Sequence, residues 1–360
     1  MERGLKIFLE PMLLNVLVFH LTCLTATAST KNQPLLPALI IFGDSTVDTG
    51  NNNNLTTLVK CNHLPYGRDF LNQKPTGRFS NGRVVTDFIA DKLGIPNPLA
   101  YLNSDAKEEN LSQGINFASG ASGYYDGTAE NFNVIPLSTQ LQYFKEYQKK
   151  LAAVVGADNA KHLLSNAAYV ISTGSNDYVN NYYLNLRLQA EYNGTQYQNF
   201  IIELASNFVR ELYKLGARKI ALLSLPPLGC LPSQRFMHGL GKTGCVEFLN
   251  TVAQQFNERL QDTLIMMKTS LPGSKLAYLD SYTTLYNVIQ NPSKYGFKDS
   301  SLGCCGTGRL AVADICLSID PGTCQDASNY VFFDSFHPTD ATYSILADVL
   351  YKQAISQLCG

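Results

Sequence analysis

Five short, continuous apolar runs are the feature that most constrains the fold of this 360-residue chain. They lie at residues 37–42, 115–118, 168–172, 219–224 and 275–279. Each run is uninterrupted rather than alternating with polar residues, which is typical of a parallel strand covered on both faces. Helical patterns separate or follow the runs, at residues 83–93, 137–155, 195–215, 245–270 and 339–357. This alternation predicts a three-layer α/β/α sandwich around a mostly parallel five-stranded sheet.

The first 28 residues have the pattern of a secretory signal. Two basic residues precede an apolar stretch over residues 12–24, and Ala26 and Ala28 occupy the positions that a signal peptidase recognises. The stretch is shorter than the ~20 residues that span a bilayer, so we expect cleavage and no transmembrane segment. No linker divides residues 29–360, which we expect to form a single domain outside the cell or in the cell wall.

The cysteines and the glycosylation sequons agree with secretion. Loss of Cys23 with the signal leaves an even number of cysteines, which indicates disulfides in an oxidising compartment. Roughly a hundred pairings are possible, and proximity in the chain alone favours Cys230 with Cys245 and a pairing within residues 304–324. A zinc site would require C-x-x-C spacings, which are absent. Candidate N-glycosylation sites are Asn54, Asn110 and Asn193.

The charge balance excludes some classes of partner. With 28 Lys and Arg against 29 Asp and Glu, the formal net charge is −1. Such a chain lacks the excess positive charge that attracts nucleic acid or an anionic membrane. We find no ligand cluster for a metal ion and no motif for an organic cofactor, so we expect neither.

Polar segments follow the first three predicted strands. Ser45 comes after the first, Gly120 after the second and Asn176 after the third. Because ligands of open parallel sheets bind beyond the carboxyl ends of the strands, these residues are expected at one edge of the sheet. A serine hydroxyl beside backbone and amide N–H donors is typical of nucleophilic catalysis on a carbonyl group. No G-x-S-x-G elbow occurs, which excludes the commoner lipase architecture.

A serine nucleophile requires a base, and His337 is the strongest candidate. It stands directly before the last predicted helix, and Asp334 lies three residues upstream, close enough to bind the other ring nitrogen. This spacing predicts an Asp334–His337–Ser45 relay. Asp44 and Asp48 are also near the serine, but their spacing to the base is poorer, so we interpret them as loop-organising acceptors. We interpret three histidines as surface or structural residues: His63, His162 and His238.

Each candidate also has a structural interpretation. Ser45 taken alone would be a helix N-cap, and Asn176 could cap the segment that follows it. Gly120 could be a turn glycine, and Gly123 competes with it as a donor. The histidine segment at the other end of the chain is what favours catalysis over these alternatives.

Four ordered segments resemble the blocks of the plant secreted GDSL esterase/lipase family, a branch of the SGNH hydrolases. They are FGDSTVDTGNNN, NFASGASG, GSNDY and DSFHPT, with GRFSNGRVVTDFIA as a companion to the first. The resemblance covers essentially the whole mature chain. Thr46 replaces the leucine that names the family, and Ala121 stands where a glycine is frequent; in the family neither position supplies a catalytic group.

The resemblance implies a flavodoxin-like SGNH hydrolase fold with an assigned role for each candidate. Ser45 is the expected nucleophile and first oxyanion donor, Gly120 and Asn176 are the further donors, and Asp334 with His337 is the base pair.

The implied reaction is hydrolysis of acyl-lipid or acylated cell-wall esters, with a small-molecule or lipid ester as the partner of a monomeric enzyme. An acyltransferase of the cutin-synthase type would use the same acyl-enzyme. A secreted binding protein without catalysis is the third alternative.

Overall fold

The five predicted strands form one parallel sheet in the computed structural model, which describes residues 35–104, 106–239, 244–317 and 322–360. The strands are β1 (Leu39–Gly43), β2 (Gly114–Asn116), β3 (Ala168–Ser172), β4 (Lys219–Leu223) and β5 (Lys275–Leu279). Their order is β2-β1-β3-β4-β5, and every neighbouring pair is parallel. This is the flavodoxin-like order, in which the switch point lies between β1 and β3. The predicted fold class is confirmed.

Helices cover both faces of this sheet. In chain order they are α1 (Val85–Leu93), α2 (Asp126–Glu130), α3 (Leu137–Val155), α4 (Ala157–Asn166), α5 (Leu186–Glu191), α6 (Gly194–Lys214), α7 (Pro232–His238), α8 (Glu247–Ser270), α9 (Ser281–Gln290) and α10 (Asp340–Leu358). Phe42 of β1 packs edge-on against Phe144 of α3 and Phe208 of α6, which places both helices on one face. Helices α1 and α10 pack against each other, and α10 packs on β4 and β5. Right-handed crossovers put this pair on the opposite face.

The long helices agree with the sequence prediction to within two residues, whereas several short elements were missed. A second, two-stranded parallel sheet, β6 (Asp299–Gly303) with β7 (Tyr330–Phe332), was not predicted. Its strands are short and only β7 is largely buried, so no long apolar run marks them. Helix α4 follows α3 after the single residue Gly156, where the apolar stripe is interrupted. In the described residues, no helix is both long and apolar enough to cross a bilayer.

Three disulfides join cysteines that are close in the chain. They are Cys230–Cys245, Cys304–Cys324 and Cys305–Cys316. The first is the pair favoured by proximity, and the other two pair cysteines within the 304–324 segment. Cys61 and Cys359 are unpaired, so the described scaffold is not fully bridged.

The predicted signal, residues 1–28, lies outside the described residues. The three sequon asparagines lie within them. Asn54 and Asn193 are exposed and Asn110 is half-buried. The Asn193 side chain also caps α6, because its Oδ1 accepts a hydrogen bond from the backbone N–H of Gln196.

Gly43 closes β1 in a conformation that only glycine tolerates. Its φ is 136°, and a Cβ atom there would lie 1.9 Å from the carbonyl oxygen of Ser172 on β3. We expect Gly43→Ala to lower the free energy of unfolding by about 3 kcal/mol or more, measured by urea denaturation. Gly216→Ala is the matched control: φ is 103° there, but the added Cβ meets no atom within 4 Å. Equal losses in the two variants would contradict the steric argument.

Candidate active site

The structure brings Ser45, His337 and Asp334 into one hydrogen-bonded line at the carboxyl edge of the sheet. His337 Nε2 lies 2.7 Å from Ser45 Oγ, and His337 Nδ1 lies 2.7 Å from Asp334 Oδ2. Ser45 is 7% exposed, His337 is 6% exposed and Asp334 is fully buried. In this geometry the imidazole can accept the hydroxyl proton while the carboxylate holds the ring in orientation.

The turn after β1 positions Ser45. The backbone N–H of Asp44 donates to the carbonyl oxygen of Ser172, which ties the turn to the end of β3. The Asp44 carboxylate accepts from both the backbone N–H and the hydroxyl of Thr46. Burial raises the pKa of Asp44 to about 6, and the hydrogen bonds from Thr46 oppose that rise. Asp44 therefore organises the loop around the serine.

The three-residue spacing of Asp334 and His337 has a local cause. Asp334 Oδ1 accepts from the backbone N–H groups of Phe336 and His337, so the carboxylate folds its own turn before it contacts the ring. Thr339 then caps α10 by accepting from the N–H of Thr342. The histidine is thus held between a carboxylate-centred turn and a capped helix.

Tyr66 is a second partner of Asp334 that the sequence analysis missed. Its hydroxyl donates to Asp334 Oδ2 at 2.7 Å and accepts from the backbone N–H of Ala313 at 2.8 Å. Tyr66 is fully buried and packs edge-on against Phe333. Burial and the nearby Asp334 charge raise the pKa of Tyr66, so the hydroxyl keeps its proton. Nothing in the sequence marks this residue among the 20 tyrosines of the chain.

Asn176 presents its side-chain amide to the same space as Ser45. Its Nδ2 donates to the carbonyl oxygen of Ser122 at 2.9 Å, and its Oδ1 accepts from Asn180 Nδ2 at 2.6 Å. An amide nitrogen carries two protons, so one N–H remains for a ligand. Because both ends of the amide are fixed, the direction of that N–H is set by the fold.

Gly120, the predicted second oxyanion donor, contacts a buried carboxylate. Its backbone N–H donates to Asp48 Oδ2 at 2.9 Å, and the residue does not line the cavity that contains Ser45. A buried carboxylate is a strong acceptor and occupies this N–H. Packing also requires a glycine at this position, since a Cβ there would lie 2.4 Å from the Phe79 ring. Gly123 packs against Asp177, whose carboxylate would lie 2.2 Å from an added Cβ.

Ala121 is the residue of this segment that lines the cavity. Its φ is 67°, a left-handed conformation that is uncommon for residues other than glycine. Among the described residues, no hydrogen-bond acceptor is found for its backbone N–H. No catalytic group was expected at this position, because the direction of a backbone N–H is not visible in a sequence.

Ser45, Asn176 and His337 face a cavity of about 160 Å³. Most of its walls are apolar: Val59, Phe79, Phe132, Val179, Pro226, Leu231, Val312, Ala313 and Phe336. None of the three other histidines of the described chain lines it: His63, His162 and His238. Within the described residues, no group of three or more His, Cys, Asp or Glu side chains is placed to hold a metal ion. The cavity suits an uncharged group presented to a hydroxyl nucleophile.

The chain is similar to known proteins over most of its length. The sequence profile described as GDSL-like Lipase/Acylhydrolase matches residues 39–350. GDSL esterase/lipase At5g03810 from Arabidopsis thaliana is 47% identical over 337 residues, which cover 93% of this chain and 95% of that protein. GDSL esterase/lipase APG from the same plant is 45% identical over 326 residues, covering 90% and 92%.

Among solved structures, a catalytic mutant of an acetylxylan esterase from Geobacillus stearothermophilus aligns at 12% identity. The alignment covers 88% of this chain and 94% of that one. The TM-score of this alignment is 0.39.

Asp48 gives a pH-dependent stability prediction. Burial raises its pKa from 3.8 to about 6, although the N–H groups of Gly50, Asn51 and Gly120 oppose the rise. Because the pKa of Asp48 is raised in the folded state, the contribution of its protonated carboxyl to the free energy of unfolding is complete below pH 4. This contribution is lost as the pH rises through 6. Asp48→Asn does not titrate, so the loss of unfolding free energy that it causes should shrink by up to about 3 kcal/mol between pH 4 and pH 7. Urea denaturation of both proteins at several pH values measures this difference, and a constant difference would contradict the prediction.

Proposed function

The chain belongs to the GDSL-like lipase/acylhydrolase family and is a carboxylic ester hydrolase; from that premise we propose a secreted serine esterase or lipase that works through an acyl-enzyme on Ser45. The observation that carries the proposal is the hydrogen-bonded line from Ser45 through His337 to Asp334. It supplies a nucleophile, a base and an orienting carboxylate in one buried row.

The reaction proceeds in two steps. Ser45 Oγ attacks the ester carbonyl carbon while its proton passes to His337 Nε2, and the tetrahedral intermediate then expels the alcohol, which takes that proton. Water attacks the acyl-Ser45 carbonyl carbon in the second step and gives a proton to the same nitrogen. Collapse returns this proton to Ser45 Oγ and releases the carboxylic acid. Asp334 keeps the ring in place throughout and holds no substrate.

Three N–H groups are available for the oxyanion of the intermediate. They belong to the Ser45 backbone, the Ala121 backbone and the Asn176 side chain, and Ala121 takes the role that the sequence had given to Gly120. All three residues line the Ser45 cavity. An N–H aimed at a developing negative charge in a desolvated site is worth more than the same group in water.

We also propose that residues 29–360 form one domain secreted from the cell. Residues 35–360 cluster as one compact unit, and the three disulfides are the kind that persist in an oxidising compartment. Exposure of Asn54 and Asn193 would allow glycan attachment in the same pathway.

Labelling with a serine-directed fluorophosphonate tests the proposed chemistry. The expected product is a covalent adduct on Ser45, identified by peptide mass spectrometry, and His337→Ala should slow its formation. A folded protein that remains unlabelled would overturn the acyl-enzyme mechanism.

Product analysis with water and a hydroxylated acceptor in competition separates hydrolysis from acyl transfer, since both begin from the same acyl-enzyme.

Asn176→Ala tests the oxyanion role of the amide. Removing one such donor typically costs ~3 kcal/mol in the transition state, so kcat of the folded variant should fall roughly 100-fold. Asn207→Ala is the control, because this side chain is exposed on α6. Within the described residues it makes a side-chain hydrogen bond only with Arg210. Near-normal turnover of Asn176→Ala would remove the amide from the mechanism.

Tyr66→Phe tests the support of Asp334. We expect kcat to fall about tenfold with KM within roughly twofold, because the lost hydroxyl binds Asp334 and lies outside the cavity lining. Tyr178→Phe is the control, since that hydroxyl is buried and has no hydrogen-bond partner among the residues that the structure describes. An unchanged kcat in Tyr66→Phe would reduce Tyr66 to a packing role.

A further inference from the structure

Large apolar side chains are exposed on several loops near the Ser45 cavity. The exposed fraction is 78% for Leu58, 60% for Ile315 and 59% for Leu184. Scattered apolar residues are ordinary on a protein surface, but a contiguous group indicates a binding surface. We call the group the apolar belt; it consists of Leu58, Leu184, Phe236, Phe248, Leu310 and Ile315.

The belt is carried by segments that also line the cavity. Leu58 precedes Val59, a residue of the cavity wall. Leu310 and Ile315 flank Val312 and Ala313, which line the same wall. Phe236 lies on α7, which begins directly after the lining residue Leu231, and Leu184 follows the lining residue Asn180 by four positions. The exposed apolar groups therefore stand where the walls of the cavity reach the surface.

Contacts between these segments place them side by side along one half of the mouth. The carbonyl oxygen of Leu58 accepts from the N–H of Asp314 at 3.4 Å, which sets Leu58 beside the 310–315 segment. The guanidinium of Arg309 lies over the Phe236 ring at 5.8 Å. The first half of the belt is thus continuous from Leu58 to α7.

Further contacts close the other half. The His238 ring packs edge-on against Phe248, and Phe248 packs edge-on against Tyr183, the neighbour of Leu184. Asn181 Oδ1 then accepts from Asn131 Nδ2. The chain of contacts returns to its start through Thr57, whose hydroxyl donates to the carbonyl oxygen of Phe132. The loops surround the cavity that contains Ser45.

The size of the cavity leaves most of a long acyl chain outside it. A closed protein cavity of about 150 Å³ holds a molecule of benzene, and the Ser45 cavity is of similar volume, about 160 Å³. It accommodates the ester group and a few carbons. A longer apolar substituent extends beyond this cavity, and at its mouth the belt provides apolar contacts.

Because the loops that carry the belt surround the mouth, a partner that covers the belt also closes the cavity, so the surface that the belt binds must itself supply the ester. Charges of both signs, Arg309 and Asp314, lie beside the belt, and the net charge of the chain is −1. Anionic headgroups are therefore not selected. We propose that the apolar belt docks the enzyme on the surface of an uncharged, water-insoluble ester, and that the substrate class is aggregated lipid or wax ester. This inference rests on the proposed function.

A pair of double variants tests the proposal. Leu58→Ser with Ile315→Ser removes two belt side chains, and neither residue lines the cavity. Ile265→Ser with Met266→Ser is the matched control, because these side chains are 56% and 64% exposed. They lie near the end of α8, which leads to the amino end of β5, at the edge of the sheet opposite the active site. Each protein is assayed on dissolved p-nitrophenyl butyrate and on a trioctanoin emulsion.

We expect the belt variant to lose about tenfold or more of the emulsion activity and to keep its activity on the dissolved ester within roughly twofold, as loss of two large apolar contacts predicts. The control should match the wild type on both substrates. Equal activity ratios in all three proteins would overturn the inference while leaving ester hydrolysis intact. Failure of the proposed function looks different, since the dissolved ester would then stay uncleaved and Ser45 unlabelled.

Binding without turnover provides the second measurement. Ser45→Ala is mixed with trioctanoin droplets and floated by centrifugation, with and without the belt substitutions. We expect the protein to rise with the droplets only when the belt is intact. Flotation that needs anionic phosphatidylglycerol in the droplet surface would overturn the choice of an uncharged surface. A dimer in sedimentation velocity that the belt substitutions dissociate would show that a second copy covers the belt instead.

Discussion

One buried carboxylate, that of Asp334, joins parts of the chain that are far apart in sequence. It accepts hydrogen bonds from the His337 ring, from two backbone N–H groups of its own turn and from the Tyr66 hydroxyl. Burying a charge without such partners is costly, so the turn and Tyr66 together stabilise the buried carboxylate. With them in place, His337 points to Ser45 at the end of β1. The geometry of the candidate active site therefore depends on the same hydrogen bonds that link Asp334 to distant parts of the chain.

Other buried carboxylates organise the same edge of the sheet. Asp44 holds the turn after β1, and Asp48 binds the N–H groups of Gly50, Asn51 and Gly120. Asp177, after β3, accepts from the N–H of Tyr124 in the loop that follows β2. Burial raises the pKa of all three. Each carboxylate occupies backbone N–H groups at this edge, and Asp48 occupies that of Gly120.

The sequence was sufficient where the signal is local. The strands and long helices follow from apolar runs and periodicity, and the rule on strand ends combined with the Asp334–His337 spacing led to the three residues that the structure joins. Tyr66 and Ala121 were missed because their contribution depends on the direction of a hydroxyl or an N–H, which distant contacts determine. The apolar belt was missed for a related reason: exposure of Leu58 or Ile315 is a property of the assembled loops.

The segment between Cys304 and Cys324 connects the chemistry to the outer surface. It carries Ala313, whose N–H binds the Tyr66 hydroxyl, and it also carries two side chains of the apolar belt. A loop with little regular structure that exposes apolar groups would lower its free energy by folding them inward. The Cys304–Cys324 and Cys305–Cys316 disulfides restrict that collapse, because they limit the conformations open to the loop. With these disulfides, one segment can hold the Tyr66 hydroxyl in the hydrogen-bond network of Asp334 and also expose apolar side chains of the belt.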